Sequence, residues 1–190
     1  MENFKDINRE EEIAIIERAK KDPEKFGVLY NRYYKPIFIF IHKRTNDKEC
    51  SADIASHVFL KALTNLNSYV HQGFPFSSWL YKIALNEVNE YYRKKNKRRV
   101  VSIESTGLER LTNALIEGES DLELNEKRFY LSEALKQLEA LEIQLVELRF
   151  FEEKSFKEIG YILNITENNA KVRTYRLLDK IKVAVLLNYR

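Results

Sequence analysis

The chain has 190 residues, of which 44% are hydrophobic, so it is long enough for one domain or two small ones and apolar enough to form a core. Lys and Arg number 32 against 29 Asp and Glu, and this net charge of +3 excludes a histone-like polycation and an acidic tail protein. Five Gly and three Pro predict long helices and few strands, and a single Cys excludes both an intramolecular disulfide and a multi-cysteine zinc site.

The N-terminal segment is charged throughout and contains no apolar signal sequence. The most apolar run, residues 37–41, is far too short to span a bilayer. We therefore expect a cytoplasmic protein without direct membrane insertion.

Helical periodicity dominates the start of the chain. A first helix is predicted over residues 8–21, after which Asp22 is placed to cap a second helix and Pro23 to occupy its first position. The second helix repeats its apolar residues with the helical period, at Phe26, Leu29, Tyr30, Tyr33, Ile37, Phe40 and Ile41.

A third helix is predicted from near Ser51 and a fourth from near Phe76, with the irregular residues 67–75 between them. The fourth helix ends in residues 93–99, which carry six positive charges in seven positions. Residues 100–126 reverse the sign, with seven acids against one base and few apolar side chains, which is typical of a flexible linker. The sequence therefore predicts an all-α protein with two small helical domains, 1–97 and 127–190, joined by a flexible acidic linker, 98–126.

The segment from Ser155 onward has the form of a helix-turn-helix. Ser155 and Glu158 have the spacing of a capping box. Asn164 stands where the turn needs a left-handed backbone, and Thr166 is placed to cap the second helix. Gly160 is small where the two helices approach each other.

The second helix of this pair has two different faces. Ala170, Thr174, Leu177 and Ile181 recur on the face predicted to be buried. The exposed face has the residue types of a recognition helix in the major groove, since Asn pairs with adenine, Arg with guanine, and Val contacts a thymine methyl. These candidates for duplex contacts, with the cap, are Thr166, Asn168, Asn169, Lys171, Val172, Arg173 and Arg176. The alternative is an ordinary helical hairpin with a solvated basic face.

These residues carry a family resemblance. The pattern from Leu138 through Phe151, Ser155 and Glu158 to Arg176 resembles region 4 of bacterial sigma-70 factors, and residues 52–62 and 76–86 resemble region 2. Their order, the linker and the short length resemble the extracytoplasmic function (ECF) subgroup.

The resemblance implies a transcription initiation factor with no catalytic residues, no cofactor, no metal and no small-molecule substrate. Its partners would be core RNA polymerase, through the β′ clamp helices and the β flap, promoter DNA and an anti-sigma factor. Region 4 would read the −35 element as a duplex, and region 2 would recognise and melt the −10 element. The acidic linker is either a solvated tether or a nucleic-acid mimic that threads the polymerase channel.

Within the first domain, the resemblance assigns polymerase binding to Asp53, Ser56 and Phe59, although Ser56 and His57 depart from the Gln and acid common in the family. Melting requires a place for an extruded base, with aromatic rings and polar edges nearby. The candidates for −10 contacts are Tyr69, His71, Phe74, Lys82, Asn86, Asn89 and Arg93. The basic run at 93–99 is expected to contact phosphates, or else to be a solvated helix end.

Two other classes of function are considered. A helix-turn-helix repressor or activator that is not a polymerase subunit would bind DNA alone, but it would not need an aromatic loop and a basic helix in its first domain. An all-helical enzyme would need clustered polar residues, and the three histidines lie in separate elements.

Overall fold

The computed structural model describes residues 9–95, 105–115 and 124–188. These residues form helices and connecting turns, and they contain no strand. The chain divides into two compact units, Met1–Val100 and Val101–Arg190. The all-α fold predicted from the sequence is therefore confirmed.

The first unit has four α-helices and two short 3₁₀ turns. The helices are α1 (Arg9–Lys21), α2 (Phe26–Thr45), α3 (Lys48–Thr64) and α4 (Phe76–Lys95), and the turns are Pro23–Lys25 and Leu66–Ser68. Helices α2, α3 and α4 pack against one another, and α1 packs on α2. Ile37, Phe40 and Ile41 of α2 are fully buried, as are Val58 of α3 and Leu80 of α4.

Local signals place the helix ends in this unit. The Asp22 side chain accepts a hydrogen bond from the Glu24 amide at 3.1 Å, but it caps the Pro23–Lys25 3₁₀ turn and not the second helix as predicted. Helix α2 begins after this turn, at Phe26, without a side-chain cap. Asp47 caps α3 by accepting from the Cys50 amide at 3.0 Å. Asn46 has φ 50° and terminates α2, because Asn tolerates the left-handed conformation that reverses the chain.

The second unit contains five α-helices within its described residues. They are α5 (Ser105–Leu115), α6 (Leu124–Lys136), α7 (Ala140–Val146), α8 (Phe156–Leu163) and α9 (Glu167–Asn188). A π-helical segment, Glu147–Phe151, continues α7. Helix α9 packs against α5, α6, α7 and α8, so its apolar residues form the centre of the unit.

The linker interval contains a helix that the sequence reading did not predict. Helix α5 lies within 98–126 and packs on the π-helical segment and on α9. Its Leu108, Leu111 and Leu115 are buried because they recur at helical spacing on one face. The acids around these leucines give the interval the composition of a linker. Residues 98–104 and 116–123 of the interval lie outside the described residues.

A close contact fixes α5 on the unit. A Cβ at Gly107 would lie 1.9 Å from Cδ1 of Phe151, so only glycine fits here without displacing the ring. Arg110 donates a hydrogen bond to the Phe150 carbonyl at 3.2 Å and forms an exposed ion pair with Glu153 at 2.9 Å.

Within the described ranges, no helix is both long enough and apolar enough to cross a membrane. In the same ranges, no three His, Cys, Asp or Glu side chains are grouped as metal ligands would be.

Candidate nucleic-acid interface

Helices α8 and α9 form a helix-turn-helix whose turn is fixed by local hydrogen bonds. The Ser155 hydroxyl accepts from the Glu158 amide at 3.2 Å, and Glu158 accepts from the Ser155 amide at 2.9 Å, which confirms the capping box. Asn164 has φ 57° and ψ 43°, in the left-handed region as predicted. The Thr166 hydroxyl accepts from the Asn169 amide at 3.1 Å and caps α9.

Gly160 sets the distance between the two helices. A Cβ at this position would lie 2.8 Å from the Ile165 carbonyl oxygen and 3.1 Å from the Glu167 amide nitrogen. These are backbone atoms at the start of α9, so they cannot rotate away. The missing side chain therefore allows α9 to begin directly against α8.

Helix α9 is divided into a buried and an exposed face, as predicted. Ala170, Thr174, Leu177 and Ile181 are buried, and the Thr174 hydroxyl is satisfied by the Ala170 carbonyl at 2.8 Å. Burial of this face fixes the rotation of the helix and leaves the opposite face toward solvent.

The exposed face brings six of the seven predicted duplex-contact residues together around one shallow concavity, lined by Thr166, Asn168, Asn169, Val172, Arg173 and Arg176. Lys171 is exposed but does not line it. Within the described residues, neither Arg173 nor Arg176 forms an ion pair, so both guanidinium groups are available to an anionic ligand. The surface combines amide, guanidinium and apolar groups, the chemistry that reads base edges.

The loop of residues 69–75 joins α3 to α4 in the first unit. Gly73 has φ 79°, a conformation that favours glycine, and its amide donates to Nδ1 of His71 at 3.3 Å. His71 and Phe74 are half-buried and Val70 is exposed. The predicted DNA-contact residues His71 and Phe74 thus lie partly on the surface of this loop.

Tyr69, a predicted −10 contact at the start of the loop, is buried. Its side chain is 7% exposed and packs against the rings of Phe76, at 5.3 Å, and Trp79, at 4.8 Å. The side chain belongs to the core because the loop leaves α3 through the Leu66–Ser68 turn and directs it inward. As a DNA contact, Tyr69 remains a prediction that its burial does not favour.

The predicted polar stripe on α4 is present. Asn86, Asn89 and Arg93 are exposed, and Lys82 is half-buried at the same helical spacing. Arg93 lies 3.4 Å and Lys94 lies 3.1 Å from Glu90, and the hydrogen bond from Lys94 holds the pKa of that carboxyl below its usual range. Residues 96–99 of the basic run lie outside the described residues.

The predicted polymerase-contact residues divide between surface and core. Asp53 and Ser56 are exposed on α3, but Phe59 is 3% exposed. Its ring lies beneath Tyr30 and Tyr34 of α2, with centroids at 4.9 Å and 5.9 Å. The apolar spacing of α3 turns Phe59 inward, so it supports the surface from below.

Leu60 is not among the predicted polymerase contacts, although it lies beside them on α3. Leu60 is 56% exposed and follows Asp53, Ser56 and His57 at helical spacing on the exposed side of α3. Leu60 is thus a large exposed apolar side chain beside two of the predicted polymerase contacts, Asp53 and Ser56. We call Asp53, Ser56, His57 and Leu60 the α3 face. A hydrophobic-periodicity scan would have flagged Leu60 as out of phase with the buried residues of α3.

Two family models match the chain. The model for sigma-70 region 2 matches residues 29–98, and the model for sigma-70 region 4 matches residues 128–181. The first match contains the α3 face, the loop and α4, and the second contains the helix-turn-helix.

Known sigma factors match most of the chain. It is 26% identical to the ECF RNA polymerase sigma factor SigM of Bacillus subtilis over 154 residues, which covers 81% of this chain and 91% of SigM. It is 27% identical to the ECF RNA polymerase sigma factor BldN of Streptomyces coelicolor over 178 residues. That match covers 86% of this chain and 62% of BldN, so it spans less than two thirds of that relative.

A solved structure has the same fold. The sigma factor RpoE of Bartonella quintana, crystallised with the anti-sigma factor NepR, matches with a TM-score of 0.55 at 18% identity, over 85% of this chain and 97% of that one. With both regions matched in order and the helix-turn-helix in place, the chain belongs to the sigma-70 family and, within it, to the ECF sigma factors, the promoter-directing subunits of RNA polymerase.

Proposed function

We propose that this sigma factor binds core RNA polymerase through its first unit, opens the −10 element with the loop of residues 69–75 and with α4, and reads the −35 element with α9. The observation that carries the proposal is the concavity on α9, where residues of base-reading chemistry converge on the exposed face of a capped helix whose other face is buried. A helix-turn-helix regulator that acts without polymerase is not favoured, because the first unit matches sigma-70 region 2.

Run-off transcription tests this proposal. Core polymerase with the purified protein is expected to give discrete transcripts from a library of genomic fragments. Core polymerase alone is the control. If the two give the same transcripts, the protein does not direct promoter choice and the proposal is rejected.

The α3 face is the proposed docking surface for the polymerase clamp. Its one large apolar side chain, Leu60, lies among polar groups that remain solvated in the free protein. Protein interfaces concentrate their binding energy in a few central residues surrounded by contacts of little energy that exclude water. Phe59, Tyr30 and Tyr34 pack beneath and beside the face and keep it rigid.

Leu60→Ala is expected to weaken binding to core polymerase by about tenfold, the loss typical of truncating an interface anchor. Fluorescence anisotropy with labelled protein measures the affinity. Val28→Ala is the control, because Val28 is also an exposed apolar residue of the first unit but lies beside Ile15 and Arg18, on the α1 side. Equal affinities for both variants would place the clamp contact elsewhere.

The proposal includes no catalysis by the protein itself, action in the cytoplasm, and control by an anti-sigma factor. The last point is supported by the family and by the complex of RpoE with its anti-sigma factor NepR. Helix α5 lies in the second unit. Crosslinking of the predicted linker, residues 98–126, to core polymerase would distinguish a solvated tether from a segment that threads the polymerase channel.

A further inference from the structure

Helix α1 contacts the loop of residues 69–75 directly. The Arg9 guanidinium donates a hydrogen bond to the Gly73 carbonyl at 2.8 Å, across 64 positions of sequence. Gly73 is the residue whose positive φ reverses the loop, so this bond holds the loop at its turning point. Helix α1 lies outside residues 29–98, the segment matched by the region 2 family model.

A second contact holds the end of the loop. Glu12 of α1 is 8% exposed, and its carboxylate accepts hydrogen bonds from the Tyr33 hydroxyl and, at 3.0 Å, from the Phe76 amide. Phe76 is the first residue of α4, so its amide has no partner within the helix. A negative charge at this helix end is also favoured by the helix dipole.

The Tyr33 hydroxyl is committed to this arrangement. Burial raises the pKa of Tyr33, and the hydrogen bond to Glu12 raises it further, so the phenol keeps its proton and donates a hydrogen bond to the carboxylate. With two donors in place, the buried carboxylate is compensated for its loss of water. Glu12 therefore joins α1, α2 and α4 at a single point.

Phe76 transmits this constraint to the loop. Its side chain is fully buried, and its ring contacts Tyr33 at 5.9 Å, Tyr69 at 5.3 Å and Trp79 at 5.4 Å. Tyr69 is the first residue of the loop, and Phe76 directly follows its last residue. The loop is thus held at both ends by the ring cluster and at its turn by Arg9.

We propose that α1 fixes the shape of the loop of residues 69–75 before DNA binds, and that Arg9 and Glu12 are positioning residues for promoter opening. The inference rests on the proposed function of the loop. A loop that is ordered before it receives an unpaired base loses less conformational entropy on binding, so the contacts from α1 favour the open complex. Neither residue needs to contact DNA for this effect.

The variants to test are Arg9→Ala, Glu12→Ala and Glu12→Gln. Glu12→Gln keeps an oxygen for the Phe76 amide, and its amide group can donate to the Tyr33 oxygen. Glu10→Ala and Arg18→Ala are the matched controls, because Glu10 is an exposed acid of α1 and the Arg18 side chain donates to the Ala14 carbonyl of its own helix.

Three quantities are measured on the full-length protein. Affinity for core polymerase is measured by anisotropy. Opening is measured as permanganate reactivity of −10 thymines on the strongest promoter that the wild-type holoenzyme transcribes from the genomic library. Hydrogen exchange of residues 70–78 reports the order of the loop. The exposed position of Arg9 allows its replacement without loss of the core.

We expect opening to fall about tenfold in Glu12→Ala and about threefold in Arg9→Ala, in line with the loss of hydrogen bonds to charged groups. Exchange of residues 70–78 rises in both, while affinity for core polymerase stays unchanged. Glu12→Gln and the two controls behave as wild type.

Three results would overturn the inference. If hydrogen exchange of residues 70–78 rises in the variants but promoter opening does not fall, the contacts from α1 order the loop without affecting the promoter. If opening and polymerase affinity fall in parallel and Glu12→Gln does not restore them, the two residues serve only the fold. If the wild-type protein opens no promoter, the proposed function itself fails and the contacts from α1 have no role in opening. This outcome is seen with the wild type alone, so it is distinguished from a failure that appears only in the variants.

Discussion

Replacing Arg173 and Arg176 together by alanine is expected to weaken contact with the −35 duplex by about a hundredfold, since each guanidinium that pairs with a base edge is worth roughly 1–3 kcal/mol. Both side chains line the concavity of α9, and within the described residues neither forms an ion pair. The holoenzyme footprint over the −35 region measures the effect. Affinity for core polymerase is expected to stay unchanged.

Lys182→Ala is the control for each single arginine variant. Lys182 is an exposed base of the same helix that does not line the concavity, so its removal changes the charge but not the base-reading surface. If Lys182→Ala and the arginine variants lose the same small amount of binding, α9 contacts DNA only through its general charge. An unaltered −35 footprint in the double variant would show that α9 is not the reading helix.

The salt dependence of binding separates these cases further. A residue that contacts only phosphate reduces the slope of log K against log salt by about one unit when it is removed, and it weakens all sequences alike. A residue that reads a base relaxes the sequence preference at one position. We expect the second behaviour for the arginines of the concavity.

Leu111→Ala is expected to destabilise the second unit by about 3 kcal/mol and to lower its unfolding midpoint by roughly 10–20 °C. Leu111 is fully buried, so its truncation leaves a cavity between α5 and the rest of the unit. The chain has a single tryptophan, Trp79, which lies in the first unit. Its fluorescence follows that unit alone, while circular dichroism follows both.

We expect the unfolding midpoint from Trp79 fluorescence to stay constant, while the part of the circular dichroism change that comes from the second unit moves to lower temperature. Asn113→Ala, an exposed change on the same helix, serves as the control and should have no such effect. If Leu111→Ala also leaves the transition of the second unit in place, α5 is a detachable part of the tether and not a part of the unit.

Local patterns in the sequence were sufficient for most of the recognition surface. The capping box at Ser155, the left-handed Asn164 and the cap at Thr166 all depend on residues within a few positions of one another, so their geometry can be read from spacing. The helical spacing of the buried residues Ala170 and Thr174 then determines which side of α9 faces solvent.

Contacts between segments that are distant in the sequence cannot be predicted from local spacing. Tyr69 and Phe59 have the residue type of a surface contact, but packing against Trp79 and Tyr30 places both in the core. The sequence does not indicate helix α5, because its leucines are few and its neighbours are acidic, although burial against Phe151 stabilises it. A short apolar pattern does not show where its partner lies.

By itself, the sequence determined the helical class, the helix-turn-helix, its exposed face and the sigma-70 family, because each depends on periodicity, capping or an ordered motif. Only the tertiary structure decided that Arg9 and Glu12 of α1 hydrogen-bond to Gly73 and Phe76, and that part of the acidic interval belongs to the second unit. The physical reason is that a hydrogen bond across 64 positions, or a ring against a glycine, leaves no periodic trace in the chain.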